Sequence, residues 1–406
     1  MQERRRDFLK RVGSGLACWA GGLNALSCGS SGRDQAQERD LIFGWTSCLT
    51  YQTADRRLGY DYFSHLLDEM KTHGMSRLIV MMASHGYFSP GNHGLAWPVK
   101  NPKLRPQVDT KALNAHEETE FFSRVIEKAH RIGIEVFIEI KYLGMIGVRE
   151  GYPGIEFLTT REGRYTHQAP SDAGDYERRA IAAMHICCDS EPAHQYMRDK
   201  IQDVLERYRD LDGIVLEHPS YTHYSCYCKS SRRKLLEDTG KDPHEIDAEA
   251  LLAWKSLRIR DRLADLRNLI KSINPKFAYG FYTGVPTVDG DVASYQDHRG
   301  HRTETLAQVG FDFVMPYCEG RNRDRETSMI ERVIDHLTPL PIYLHTTIRR
   351  DMPRHYALPP KGPQYVRNVI AWGKAYARKN ERFLGMTFFN EVKIPDENRQ
   401  AVYDSI

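Results

Sequence analysis

Four glutamates of this 406-residue chain stand at or just after short apolar runs, at Glu139, Glu217, Glu319 and Glu391. In proteins built on parallel strands, the residues that follow such runs often carry the chemistry. Two carboxyl groups, one protonated and one ionised, can act as an acid and as a base or nucleophile on the same bond. The competing interpretation is that some of these acids form structural ion pairs with Lys141 or with a nearby arginine.

The elements that must position these acids are β-branched and aromatic runs that alternate with amphipathic helical patterns. The predicted strands are 41–47, 77–82, 134–140, 213–218, 277–282, 311–317, 341–346 and 383–389. The helical patterns between them are 60–73, 117–132, 191–209, 229–272 with a break at Asp242-Pro243, 302–309, 328–337 and 363–379. Eight such units predict an α/β protein with a single closed (β/α)8 TIM barrel over residues 40–406. A doubly wound open sheet is the alternative, but Trp45-Thr46-Ser47-Cys48 stands where that fold usually has a Gly-rich turn.

Two predicted connections, 83–116 and 141–190, are much longer than ordinary βα loops. Both follow a strand, the second and the third, so in a barrel they lie on the face where active sites are built. They are rich in aromatic residues, among them Trp97, Tyr142, Tyr152 and Tyr165. We expect these loops to form the walls or lids of a cleft.

Closure of the barrel would bring the polar residues at the strand ends to one mouth. In chain order these residues are His85, Glu139, Lys141, Glu217, His218, Tyr282, Tyr317, Glu319, His345, Asn390 and Glu391.

The segment around the fourth strand reads Asp-Gly-Ile-Val-Leu-Glu-His-Pro over 212–219, followed by Cys226-Tyr227-Cys228 and by Thr239-Gly240. It resembles the glycoside-hydrolase-like β/α barrels of the trans-glycosidase type, in which an acidic strand end leads into a Cys-x-Cys-x-x-Cys loop and a helix ending in Thr-Gly. The resemblance places Glu217 at the acidic position, which carries the nucleophile or an essential substrate contact in several of these families. The chain departs from the pattern at Glu217 itself, where Asp is commoner, at His218 and at Ser231, which replaces the third Cys.

The resemblance implies an enzyme that cleaves the glycosidic bonds of an oligo- or polysaccharide. Such cleavage needs one carboxyl group to protonate the leaving oxygen and another to attack or stabilise the sugar cation. Glu217 would take the second role. The carboxyl group that protonates the leaving oxygen would be that of Glu319. Glu391, whose apolar neighbours could raise its pKa, and Glu139 are the alternatives. The expected substrate-binding residues are His85, Glu139, Lys141, His218, Tyr282, Tyr317, His345, Asn390 and Trp97.

Strand seven ends in His345 without an acid, which disfavours the mechanism of the large retaining clan with acids on strands four and seven. His85, His218 and His345 would contact sugar hydroxyls at the mouth. A second hypothesis is a barrel that binds carbohydrate without cleaving it. A third is a metal-dependent hydrolase or isomerase that uses the three histidines with Glu217. We expect no metal and no cofactor, because no two of the histidines have a local ligand spacing.

The pair Cys226-x-Cys228 allows two structural interpretations. It could bind zinc, or it could form a disulfide, either within the pair or with Cys187 or Cys188. Each would brace the loop after strand four.

The amino terminus predicts export. Arg4-Arg5-Arg6 precedes a Gly- and Ala-rich apolar run, so residues 1–27 are expected to be a twin-arginine signal peptide and residues 28–39 a flexible tether. Cys28 resembles a lipidation site, although Ala25 stands where Leu is usual, and a lipid there would anchor the protein at a membrane. The alternative is a plain cleaved signal, and in both cases the expected location is the periplasm or the cell surface. Residues 1–27 hold five Lys/Arg and two Asp/Glu, so their removal takes the net charge from +3 to 0. This balance argues against a nucleic-acid partner, and the carbohydrate partner is what the family resemblance implies.

Overall fold

The computed structural model describes residues 40–49, 59–84, 94–108, 120–142, 148–159, 185–217, 220–221, 226–284, 297, 299–318, 326–348, 361–389 and 391–406. Within these residues eight parallel strands close into a barrel. They are β1 Ile42–Cys48, β2 Arg77–Met81, β3 Glu135–Lys141, β4 Gly213–Glu217, β5 Ala278–Gly284, β6 Phe313–Cys318, β7 Ile342–Thr347 and β8 Phe383–Phe389. Each strand pairs with its chain neighbour, and β1 pairs with β8 to complete the ring. The predicted single TIM barrel is confirmed.

The helices surround the strands. They are α1 Tyr60–Thr72, α2 Phe121–Arg131, α3 Val148–Gly151, α4 Glu191–Arg207, α5 Lys229–Thr239, α6 Ala248–Ile273, α7 Thr303–Leu306, α8 Glu326–Leu337, α9 Pro363–Ala377 and α10 Asp396–Tyr403. Single 3-10 turns lie at Pro102–Gln107, Ala307–Val309 and Glu391–Lys393, and Ala83–Ser84 pairs antiparallel with Gly94–Leu95 after β2. Among the helices of the described residues, none combines the length and the apolar character that a membrane crossing needs.

Sequence signals set the helix boundaries near the predicted break. The left-handed Gly240, with φ 73°, ends α5, and the side chain of Asp247 accepts the backbone N–H of Ala250 to start α6. The predicted helical stretch 229–272 is therefore two helices, divided around Asp242-Pro243 as expected.

Large side chains fill the amino-terminal half of the barrel. Phe137, Phe313 and Tyr343 belong to one buried cluster, and the Arg77 guanidinium lies 4.5 Å from the centroid of the Phe137 ring. Gly280 makes room for them, because a Cβ on it would lie 2.5 Å from the ring of Phe313. This end of the barrel is thus a packed core, which leaves the carboxyl end for polar side chains.

Backbone bonds organise the loops that follow β3 and β4. Within the first loop the backbone N–H of Cys187 donates to the carbonyl oxygen of Glu156 at 2.8 Å, and from the second loop that of Tyr227 donates to the carbonyl oxygen of Thr159 at 2.9 Å. The Tyr227 bond therefore connects the two loops.

Candidate functional site

Two charged side chains meet at the carboxyl ends of β3 and β4. Lys141 lies opposite Glu217 in the register of these strands, and its ammonium group forms an ion pair with the Glu217 carboxylate. The side chain of Lys141 is 6% exposed and that of Glu217 is 12% exposed. Glu217 is therefore the more accessible of the two from the barrel mouth.

Glu139 lies deeper on β3 and is almost completely buried. Burial raises the pKa of its carboxyl group well above the ordinary value, and the negative charge of Glu217 raises this pKa further, whereas Lys141 lowers it. These causes favour the protonated form of Glu139, which can donate a hydrogen bond to the side chain of Glu217.

Lys141 keeps its charge although it is buried. Burial lowers the pKa of its ammonium group, but the carboxylate of Glu217, together with the neighbouring carboxyl group of Glu139, outweighs burial and raises this pKa above the ordinary value. The Nζ of Lys200 on α4 donates to the carbonyl oxygen of Lys141 at 2.7 Å and so supports the strand end. We call Glu139, Lys141 and Glu217 the acid cluster; with Glu139 in its protonated form, the charges of Lys141 and Glu217 cancel.

Aromatic residues form the side of the mouth next to the acid cluster. Tyr282 lies opposite Glu217 in the register of β4 and β5, and its hydroxyl group is hydrogen-bonded to Nδ1 of His345. The Tyr317 ring centroid lies 5.4 Å from that of Tyr282 and 5.1 Å from that of His345. The ring centroids of Phe389 and His345 are 5.3 Å apart. We call these four residues the aromatic wall. Tyr282, His345 and Phe389 are buried and Tyr317 is half-buried, so Tyr317 is the member of the wall that is most open to a ligand.

Glu391 does not have the apolar setting that the sequence predicted. Its carboxylate accepts hydrogen bonds from Tyr62 and Arg399, each at 2.6 Å to Oε1, and from Ser47 at 3.3 Å. Burial lowers the pKa of the Arg399 guanidinium, but the charge of Glu391 outweighs burial and raises it. Glu391 is therefore held in a buried ion pair that connects the end of β8 with α1 and α10.

Trp97 is not placed as a platform for a sugar. Its side chain is fully buried, and its Nε1 donates to Oδ1 of Asp203 at 2.8 Å. The second oxygen of Asp203 accepts the backbone N–H of Lys100 at 2.8 Å. Trp97 thus fixes the loop after β2 to α4, and the expectation of a substrate contact is wrong because the ring has no exposed face.

The structure brings six of the expected site residues to one mouth, namely Glu139, Lys141, Glu217, Tyr282, Tyr317 and His345. The sequence analysis missed Phe389, which the rule of strand ends would have included because it is the last residue of β8. His85, His218, Glu319 and Asn390 lie outside the described residues.

A second group of reactive side chains lies beside the mouth. The sulfur atoms of Cys187, Cys226 and Cys228 all lie within 4.8 Å of one another, and all three residues are buried. They are thiols without a disulfide bond, as are the other described cysteines, Cys48 and Cys188. Soft donors at this spacing are suited to a metal ion.

The fold is similar to those of solved glycosidases. The glycoside hydrolase domain of PgaB (BpsB) from Bordetella bronchiseptica superposes with a TM-score of 0.62 at 13% identity, covering 90% of this chain and 99% of that one. The β-amylase catalytic domain of Paenibacillus polymyxa gives 0.57 at 7% identity, with 90% and 97% covered. A β-galactosidase of Marinomonas ef1 gives 0.58 at 9% identity, with 89% and 58% covered. No family model matches the chain, and no curated protein matches its sequence. At these identities the likeness establishes the fold.

Proposed function

We propose that this protein is an exported glycoside hydrolase that cleaves an oligo- or polysaccharide at the carboxyl end of its barrel. The observation that carries the proposal is the position of Glu217, whose carboxylate pairs with Lys141 at the rim of a buried acid cluster and lies next to an aromatic wall. A carboxylate placed in this way can attack or stabilise the cationic carbon of a sugar. The solved glycosidases with the same fold support the assignment.

Glu139 and Lys141 position Glu217 in this proposal. A general acid of a glycosidase stands about 5 Å or more from the second carboxyl group, because the glycosidic bond lies between them. Glu139 is instead hydrogen-bonded to Glu217 directly. Its proton and the ammonium group of Lys141 orient the Glu217 carboxylate, and Glu139 is not free to protonate a leaving group.

We assign the general acid to Glu319, which follows β6 by one residue. Glu391, the other acid considered for this role, already accepts hydrogen bonds from Arg399 and Tyr62. In the reaction Glu319 gives its proton to the glycosidic oxygen as the bond to the sugar carbon breaks, and Glu217 attacks or stabilises that carbon. Water then forms a bond to that carbon as Glu217 releases it, and one proton of the water passes to the Glu319 carboxylate, so both side chains return to their starting states.

The experiment compares Glu217→Gln and Glu319→Gln on a panel of polysaccharides and on aryl glycosides with a good leaving group. On polysaccharides each variant should lose several orders of magnitude in turnover. On activated aryl glycosides the first step needs no general acid, so Glu319→Gln should still release the aryl group whereas Glu217→Gln should not. Glu237→Gln on α5, where the side chain is 46% exposed, is the matched control and should keep full activity. Near-normal turnover by Glu217→Gln would refute the proposal.

A barrel that binds glycan without cleaving it is the second candidate. Among the strand-end acids that the structure describes, Glu139 is bonded to Glu217 and Glu391 is bonded to Arg399. Neither of these two can serve as the general acid for cleavage, and this favours a protein that only binds. If this candidate is right, the wild type binds a polysaccharide of the panel without producing new reducing ends, and Glu319→Gln binds it equally well.

A further inference from the structure

Three cysteine sulfurs from two different loops meet in one buried place. Cys187 precedes α4 in the connection that follows β3, whereas Cys226 and Cys228 belong to the connection that follows β4. Their Sγ atoms lie within 4.8 Å of one another. In a tetrahedral zinc site with Zn–S bonds of about 2.3 Å, neighbouring sulfurs are about 3.8 Å apart. The thiols are therefore within about 1 Å of metal-binding geometry.

Backbone N–H groups point at two of the sulfurs. The N–H of Thr159 donates to Sγ of Cys226 at 3.4 Å, and the N–H of Ser231 donates to Sγ of Cys228 at 3.4 Å. Such bonds orient sulfur ligands and stabilise the negative charge that a sulfur must carry in order to bind a metal.

The polar residues next to the three sulfurs, Ser231 and Asp189, are already engaged in other hydrogen bonds and are not expected to bind a metal ion. Ser231, at the place of the third Cys of the loop motif, donates its hydroxyl group to Asp189 at 2.7 Å. Asp189 also accepts hydrogen bonds from Tyr221 and Arg258, so its carboxylate is fully occupied.

We propose that Cys187, Cys226 and Cys228 bind one zinc ion as three thiolates, with a solvent oxygen as the fourth ligand. A disulfide would use two of the three sulfurs and leave the third buried beside it, whereas a metal ion uses all three. The ion fastens the connection after β3 to the connection after β4, and these two strands end in the acid cluster. Its role is to hold the loops beside the mouth, and it takes no part in the chemistry.

The test uses the full chain, purified without chelators from cells grown with added zinc. Elemental analysis should find one zinc ion per chain in the wild type. Cys226→Ala should lose this zinc, while Cys188→Ala should keep it because Cys188 is a buried neighbour outside the group of three. Cobalt(II) substituted for zinc should show the strong ultraviolet absorption of thiolate-to-cobalt charge transfer.

Two results would overturn the proposal. One is zinc-free wild-type protein whose mass, after alkylation under denaturing and non-reducing conditions, shows a disulfide. The other is a zinc content that Cys226→Ala leaves unchanged, which would place the metal elsewhere. If Cys226→Ala fails to fold, the wild type decides: removal of zinc by a chelator should expose three additional reactive thiols and lower the melting temperature. None of these readouts depends on glycosidase activity, so this proposal and the proposed function can fail separately.

Discussion

Replacement of Glu139 by glutamine tests whether this buried acid holds its proton in the folded protein. Glutamine has the shape of a protonated glutamate, and its amide N–H can donate to the Glu217 carboxylate as the Glu139 hydroxyl does. We expect Glu139→Gln to match the wild type in stability at acidic pH and to exceed it at neutral pH.

The sign follows from proton linkage. In the folded protein the pKa of Glu139 lies well above its ordinary value of 4.5. Between these two pKa values the folded wild type binds one proton more than the unfolded chain. The stability that Glu139 contributes is therefore fully present below the unfolded pKa and is lost as pH rises, by about 1.4 kcal/mol per pH unit within that window. The glutamine side chain does not titrate, so the variant should gain on the wild type by the same amount per unit.

The assay is urea unfolding of both proteins at several pH values between about pH 5 and pH 8, a range that starts just above the ordinary pKa of the acid. Glu237→Gln, a change at an exposed site, should differ from the wild type by the same small amount at every pH. A difference between Glu139→Gln and the wild type that stays constant, or that shrinks as pH rises, would mean that Glu139 is ionised in the folded state. The reasoning about the acid cluster would then be wrong.

Three further predictions concern other parts of the chain. Arg399→Met leaves the buried Glu391 without its cation and should lower the free energy of unfolding by about 3–5 kcal/mol in chemical denaturation; an unchanged midpoint would contradict the structural ion pair. Gly280→Ala places a Cβ 2.5 Å from the ring of Phe313 and should cost about 1–3 kcal/mol in the same assay, so equal stability would argue against the packing described. Replacement of Arg5-Arg6 by two lysines should keep the protein in the cytoplasm upon cell fractionation, and export of this variant would rule out the twin-arginine route.

The strands were predictable because each is a short apolar run rich in β-branched or aromatic residues and is followed by a helical pattern. The strand predicted at 383–389 is observed at Phe383–Phe389, and that predicted at 277–282 extends to Gly284. The helix Asp396–Tyr403 was missed although the β/α alternation calls for a helix after the last strand, because its apolar residues Ala401–Tyr403 are consecutive and show no helical spacing.

The members of the candidate site were easier to predict than their partners. Strand ends alone placed Glu139, Glu217 and Glu391 near one mouth. Which acid touches which residue depends on depth in the barrel and on the helices outside it, as the bond from Arg399 of α10 to Glu391 shows. The prediction that Trp97 contacts the substrate failed for the same reason, because its hydrogen-bond partner Asp203 is distant in the sequence and lies on α4.

The dependence of the acid cluster on its own charge balance makes Glu217→Gln an interpretable test. In the wild type Lys141 is paired with Glu217, while burial and the charge of Glu217 raise the pKa of Glu139. Loss of the Glu217 charge removes that repulsion and leaves Lys141 as the neighbouring charge, so the pKa of Glu139 should fall. A lower pKa makes Glu139 a better counterion for Lys141 and limits the cost of leaving a buried cation unpaired. A folded but inactive Glu217→Gln therefore reports the loss of a carboxylate at the rim, where a substrate can reach it, because the almost completely buried Glu139 cannot take its place in the reaction.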